Sequence, residues 1–373
     1  MNLYTLKNQL IMCLSPISIS RTYLGRKVVQ WCPCGKCEEC IKDKQNEYII
    51  RTIEEAMKIK GDVYFLTLTY NEDNVPTVVD EEGELDEETG ELCSIGQSIK
   101  SLNNKDITLW KKRCKRYIEY HYKTKCDFSY LICGEYGPQT HRPHYHGLFL
   151  GISPRDMEIF KRDWETNYGY TCVKKVSKFD VERTARYVAK YITKMRDLED
   201  KNVMNGKVEK PRKITSKGYG MPSKERWKKM KIDIMGEDYS VEDLQKMVKP
   251  GQSTKKISKI IEKVTRSLKY KNNGKEYKLP AYYKRKMFYY KDDFGKVHGT
   301  AISNMIAQTM VNNVQSDYSR KLVEMANNLQ IGGTYEDMRR VACRVQAIEE
   351  DTRQTRKKMY IQTNIAALRK SIF

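Results

Sequence analysis

The chain has 373 residues, of which 39% are hydrophobic and 31% charged, and carries a formal net charge of +21 at pH 7. This composition suits a folded protein of one large or two modest domains and excludes a disordered or membrane chain. The positive charge argues against a small-molecule enzyme and for a polyanionic partner, because each phosphate contact releases condensed counterions.

No run of about 18 apolar residues occurs, so no membrane-spanning helix and no membrane partner are expected. The first twenty residues hold a short apolar run preceded only by Lys7, without a small-residue cleavage site, and are expected to be mature protein. The eleven cysteines are an odd number and mostly scattered. Without an export signal they predict a reducing compartment and no disulfide framework.

In chain order, the first feature is Cys32-x-Cys34-x-x-Cys37-x-x-Cys40. Four thiols so close together suit a structural zinc site, since thiolates favour tetrahedral Zn²⁺; a reduced, metal-free turn is the alternative. A helix is predicted over 38–60, with Ile41, Tyr48, Ile49, Ile53 and Met57 on one apolar stripe and Gly61 ending it. Residues 63–70 are apolar, β-branched and aromatic, a buried strand. Residues 71–99 are rich in Asp and Glu and read as an exposed hairpin or loop. A helix over 104–123 follows, then a strand over 128–135, a turn at 136–138, and a returning strand over 143–150 with period-2 alternation. Ser153 and Pro154 cap and start another helix. A strand over 170–176 and a helix over 180–195 complete a β-α-β-β-α-β-α order. That order predicts an α+β fold, a central antiparallel sheet covered by helices in a ferredoxin-like layout. Residues 201–290 are Lys-rich and turn-rich. Residues 303–329 and 335–369 read as two long helices. The chain thus divides into 1–60 with the cysteine cluster, 61–200 as the catalytic domain, 201–290 as a basic extension, and 291–373 as a helical C-terminal region.

Two constellations carry chemistry. His144 and His146 are two apart on a strand, so both imidazoles face one way and Tyr145 turns into the core. Three of the five histidines lie between 141 and 146; no metal role is assigned to His141. Glu135, across the turn, is placed to complete the set. Two imidazoles and a carboxylate with open positions suit a catalytic Mg²⁺ or Mn²⁺. The second constellation is Tyr187-x-x-Lys190-Tyr191-x-x-Lys194. At i and i+4 the tyrosines stand one helical turn apart on one face, with Lys190 and Lys194 beside them. In a chain with 26 tyrosines a core stripe is the plain alternative. The chemical reading is a covalent nucleophile, activated by a nearby lysine and a metal.

These motifs, in this order, resemble the HUH endonuclease superfamily: Phe65-Leu66-Thr67-Leu68-Thr69-Tyr70, then Gly134-Glu135-Tyr136-Gly137 with Arg142-Pro143-His144-Tyr145-His146, then the two-tyrosine helix. The pattern is similar to the replication initiators of microviruses, and most to their gokushovirus branch. Met12-Cys13-Leu14, the cysteine cluster, Leu279-Pro280 and Tyr282-Tyr283 extend the resemblance over about residues 12–290, and Ser216-Lys217-Gly218-Tyr219-Gly220 is similar to a Gly-rich segment of that branch. The C-terminal region matches nothing.

The resemblance implies an HUH fold and a metal held by His144, His146 and Glu135. It implies that Tyr187 or Tyr191 nicks single-stranded or supercoiled circular DNA at a replication origin, leaving a 5′-phosphotyrosine and a free 3′-OH. The other tyrosine would act after one round, so that the strand is rejoined without ATP. Lys190 and Lys194 would position phosphate or assist proton transfer. Thr67, Thr69 and Tyr70 would shape the sheet or contact DNA. Arg142, Lys213, Lys217, Lys284 and Arg285 are expected at the DNA backbone. No G-x-x-x-x-G-K-[ST] motif occurs, so unwinding would fall to a host helicase and extension to a host polymerase, in the cytoplasm of an infected bacterium. The competing readings are a transposase or plasmid initiator of the same chemistry, and a non-catalytic single-strand nucleic-acid binder using the basic middle and its tyrosines.

Overall fold

A computed structural model describes residues 17–310 apart from 24–25, 34, 36–37, 82–83, 86–91, 94–95, 138–139, 178–179, 195–205, 238–239, 241–242 and 245–254. The chain forms two compact units, Met1–Asn304 and Met305–Phe373. The two predicted C-terminal helices lie outside the described residues except for 303–310, which are helical. No described helix is long and apolar enough to cross a membrane.

The first unit opens with an antiparallel hairpin that is not among the predicted elements, β1 (Ile17–Tyr23) and β2 (Arg26–Cys32). Helix α1 (Glu38–Lys58) follows. Strand β3 (Asp62–Tyr70) leads into the acidic stretch, a nested hairpin in which β4 (Thr77–Val79) pairs with β7 (Ser98–Lys100) and β5 (Glu84–Leu85) with β6 (Leu92–Cys93). The stretch is not wholly solvated, because Asp80 is buried against Lys207 at 2.8 Å. Next come α2 (Asn104–Tyr122), β8 (Ser129–Tyr136), β9 (Pro143–Ile152), α3 (Pro154–Asn167), β10 (Gly169–Val176) and α4 (Val181–Lys194). The Ser153 hydroxyl accepts from Asp156 N with Pro154 in the first turn, as its sequence requires.

The predicted antiparallel sheet is present. Its order is β10-β3-β9-β8-β11, where β11 (Lys213–Thr215) is a three-residue edge strand from the basic extension. Every neighbouring pair is antiparallel. Without β11 this is the β-α-β-β-α-β order of a split βαβ unit. Alternation then sorts the side chains. Leu66, Leu68, Ile132, Tyr145 and Phe149 meet Ile107, Trp110 and Ile118 of α2 and Phe160 and Trp164 of α3. On the other face, Val63, Leu131, Cys133, Leu148 and Leu150 meet Tyr48 of α1 and Val188 and Ile192 of α4. Each such fully buried side chain contributes about 1.5–3 kcal/mol.

The basic extension packs against α1. It runs through β11, α5 (Lys224–Met235), α6 (Lys255–Arg266), the hairpin β12 (Lys269–Asn272) and β13 (Lys275–Lys278), α7 (Ala281–Phe288), and the hairpin β14 (Tyr289–Lys291) and β15 (Val297–Gly299). Arg51 donates through Nε and Nη2 to the Tyr219 carbonyl at 3.1 and 2.8 Å. Gly220 N donates to Glu55. Arg226 donates twice to the wholly buried Glu54, which also accepts from the Tyr270 hydroxyl at 2.7 Å. Gly220 permits this approach. Its φ is +74°, and a Cβ there would lie 2.3 Å from Arg51 Cβ.

Candidate active site

The site lies on the sheet face covered by α1 and α4. Register sets it: Thr67 pairs with His146 and Thr69 with His144 across β3–β9, while Cys133 pairs with His146 and Glu135 with His144 across β8–β9. All six therefore point to one side, and Tyr145 faces the opposite core, wholly buried as expected. Glu135 Oε2 lies 3.1 Å from His146 Nε2, both nearly buried, at 8% and 12% exposure. The His144 and His146 ring centroids are 6.5 Å apart.

Both imidazoles are held at Nδ1 by threonine. Thr67 Oγ1 is 3.1 Å from His146 Nδ1, and Thr69 Oγ1 is 3.0 Å from His144 Nδ1. A hydroxyl can give or take a proton, so each threonine can serve either tautomer. With Nε2–H donating to Glu135, Thr67 donates to Nδ1. With Nε2 as a metal ligand, Nδ1–H donates to Thr67, the outer contact that fixes the orientation of a ligating histidine. The sequence alone does not give these threonines such a part; period-2 alternation within the first motif is the signal, but it needs the cross-strand register to be read.

Helix α4 brings the tyrosines to this face. The Tyr191 ring stacks on His146 with centroids 4.0 Å apart and planes within 17°. The Tyr191 hydroxyl donates to Tyr187 Oη at 2.5 Å, and Tyr187 packs edge-on against Phe65 at 5.5 Å. Burial, reinforced by the bond to Tyr187, holds the Tyr191 hydroxyl far above the usual tyrosine pKa. Tyr187 is 40% exposed. The plain alternative of a core stripe does not fit Tyr187, which faces solvent, whereas Tyr191 packs against the core as well as over His146. Lys190 is exposed on the same helix, and the Lys194 side chain lies outside the described residues.

The donor set fits a divalent cation in kind. His146 keeps Nε2 at the Glu135 carboxylate, and His144 Nε2 lies beside Gly137, where a Cβ would come within 3.3 Å of it. Among the described residues no three His, Cys, Asp or Glu side chains are already drawn into a metal-holding group; His146 and Glu135 lie within 3.1 Å of each other.

The expected DNA contacts scatter. Arg142 is engaged internally, donating to the Tyr70 carbonyl and to Glu72. Lys213, on β11, is exposed and lies over the Tyr48 ring at 5.2 Å. Lys217 is exposed in the loop before Gly220, and Arg285 is exposed on α7. Lys284 is half-buried, and burial holds its ammonium below the usual lysine value. Of the cysteine cluster, Cys32 ends β2 and Cys40 is buried on α1, while Cys34 and Cys37 lie outside the described residues.

Residues 63–196, from β3 to the end of α4, match the family model of the ORF2-type replication-associated proteins. That span holds Thr67, Thr69, Glu135, His144, His146, Tyr187 and Tyr191. The chain is 28% identical over 175 residues to replication-associated protein ORF4 of Chlamydia phage 1, covering 43% of this chain and 38% of that protein. It is 27% identical over 208 residues to replication-associated protein ORF2 of Spiroplasma virus 4, covering 52% and 58%. It is 29% identical over 137 residues to replication-associated protein VP4 of Bdellovibrio phage phiMH2K, covering 37% and 36%. The matched segments span between about a third and three fifths of these relatives. No solved structure matches. The resemblance drawn from the motifs to small-phage replication proteins is thus borne out.

Proposed function

We propose that the chain is an HUH-type endonuclease that nicks one DNA strand at a phage origin and rejoins it after a round of rolling-circle replication. The observation that carries this reading is the Tyr191 ring stacked on His146, with the Tyr187 hydroxyl bonded to its own. A pure binding protein would leave a histidine–carboxylate face that carries two tyrosines unemployed.

His144, His146 and Glu135 would hold Mg²⁺ or Mn²⁺. Such an ion, when bound, offsets charge on the phosphodiester and on the departing oxygen. A tyrosine Oη attacks phosphorus. The Oη–P bond forms, the P–O3′ bond breaks, and the phenolic proton passes by way of water to the released 3′ oxygen. The products are a 5′-phosphotyrosine and a 3′-OH. The bond energy is kept, so attack by a 3′-OH on the phosphotyrosine reseals the strand and frees the tyrosine. Lys190, exposed one turn after Tyr187 and next to Tyr191 in the helix, would attract the phosphate, and so would Lys194. Host helicase and polymerase would supply unwinding and extension in the bacterial cytoplasm. The relatives' names support a phage role over a transposase or plasmid one. Any zinc at Cys32, Cys34, Cys37 and Cys40 would be structural.

The test is covalent capture. The full chain is incubated with pooled single-stranded oligonucleotides and Mn²⁺, then separated under denaturing conditions. The expected adduct requires metal, survives denaturant and is lost when Tyr187→Phe and Tyr191→Phe are combined. Tight binding that ignores EDTA, with no adduct, would refute the enzyme and leave the binding protein.

A further inference from the structure

Helix α2 carries six cations, Lys105, Lys111, Lys112, Arg113, Lys115 and Arg116, against two acids, Asp106 and Glu119. Its inner face is accounted for by Ile107, Trp110, Cys114 and Ile118 in the core. Its outer face is not. Among the described residues six tyrosines are exposed, and three of them, Tyr117, Tyr120 and Tyr122, lie in the last turns of α2. Tyr120 is the most open, at 67%. His121 is exposed between them, 4.3 Å from the Tyr117 ring and 5.0 Å from that of Tyr120. Cations gather around the rings: Lys123 lies over Tyr120 at 4.6 Å and Arg155 over Tyr122 at 4.1 Å, with Lys112 and Arg116 exposed one turn back.

We infer that this outer end of α2, from Arg116 to Lys123 with Arg155, is a second binding surface for single-stranded DNA. Rings left in water together with cations match a ligand with flat apolar faces and a negative charge per unit. Bases stack on the tyrosines while phosphates meet Arg116, Lys123 and Arg155. The inference rests on the chain handling DNA but not on its cutting chemistry. Placement gives the surface a task of its own. Helix α2 covers the sheet face opposite His144 and His146. It ends beside the start of β8, whereas Glu135 stands near the other end of that strand. A strand held here is not the stretch at the tyrosines. It is another part of the same molecule, and holding it keeps a nicked circle from drifting off between cutting and resealing.

The experiment uses the full chain in EDTA, which suppresses cleavage, with thymidine oligonucleotides of about 8 and about 40 nucleotides, bracketing the ~4–16 that a small domain occupies. The short strand is expected to saturate at two per chain in the wild type and one in Tyr117→Ser/Tyr120→Ser. The long strand should bind at least about thirtyfold more weakly to the variant, the loss of two stacked bases. Independently of any variant, a bromodeoxyuridine strand photo-crosslinked to the wild type should label the tryptic peptide that runs from Tyr117 to Lys123. One equivalent in the wild type with crosslinks only on α4 and β9 overturns the inference and leaves the nuclease reading intact. No binding of either strand overturns both. A variant that keeps the DNA stoichiometry but loses self-association in sedimentation overturns it too, in favour of a protein interface.

Discussion

Thr67→Val keeps the shape of the side chain and removes one oxygen. That oxygen is 3.1 Å from His146 Nδ1, on a half-buried strand position whose partner ring is 12% exposed. Water can reach so enclosed a nitrogen only poorly, so the bond is not replaced. Two effects of different size follow. Stability should change little, because a neutral hydrogen bond contributes about 0.5–1.5 kcal/mol net and valine recovers part of that by its methyl. Metal binding should change more. Losing the outer partner of a ligating histidine typically costs about 10–100-fold in affinity or activity, or ~1.4–2.7 kcal/mol. The assay is Mn²⁺ titration followed by calorimetry and, in parallel, by the metal dependence of adduct formation. The expected result is a half-saturation shifted upward by at least about tenfold, a melting temperature nearly unchanged, and the adduct restored at high Mn²⁺. Thr69→Val should behave alike through His144. A half-saturation equal to wild type in both variants would refute the assignment of these threonines as imidazole holders, and with it the placement of the metal on Nε2.

Gly220→Ala tests the clasp on α1: a positive φ and a Cβ 2.3 Å from Arg51 should cost about 2–4 kcal/mol, read as a fall in melting temperature. Lys111 is buried at 7% exposure, its ammonium over the Tyr130 ring at 3.7 Å, and burial brings its pKa down to about 8. Since the folded value lies below the unfolded one, the unfolded chain binds more protons between pH 8 and 10.5, and the wild type gains stability there as pH rises. Lys111→Met should therefore stabilise at pH 7 by ~1–3 kcal/mol, and the gap to wild type should close between those pH values in denaturant titrations.

The site was legible because its parts lie in short periodic stretches. His-x-His on an alternating strand puts both rings on one face whatever the rest of the fold does, and Tyr187 and Tyr191 on a helix must share a side. The β-α-β-β-α-β order was legible for the same reason. What escaped is what register and packing decide. Thr67 and Thr69 become partners of the imidazoles only once β3 is set against β9. The three-residue strand β11 is too short to carry a pattern. Helix α6 does bury Ile257, Ile261 and Val264 at helical spacing, but lysines crowd the rest of the segment, so it read as a basic, turn-rich stretch. The hairpin Ile17–Cys32 carries a weak signal: Arg21 interrupts the Ile-Ser-Ile-Ser alternation of β1, and Arg26-Lys27-Val28-Val29-Gln30-Trp31-Cys32 does not alternate.

The helix that bears the tyrosines leans on α1 as well as on the sheet: Ala189 packs with Ile49 and Ile53, and Val188 and Ile192 pack with Tyr48. Helix α1 is in turn gripped from outside by Tyr219, Gly220, Arg226 and Tyr270. The stretch that the family model matches, 63–196, thus holds His144, His146, Glu135, Tyr187 and Tyr191 but not the frame that positions them. Where a displacement of ~1 Å can cost a hundredfold in rate, a fragment trimmed to that stretch would keep the histidines and tyrosines and lose their support. The smallest piece worth engineering runs from α1 through Phe288.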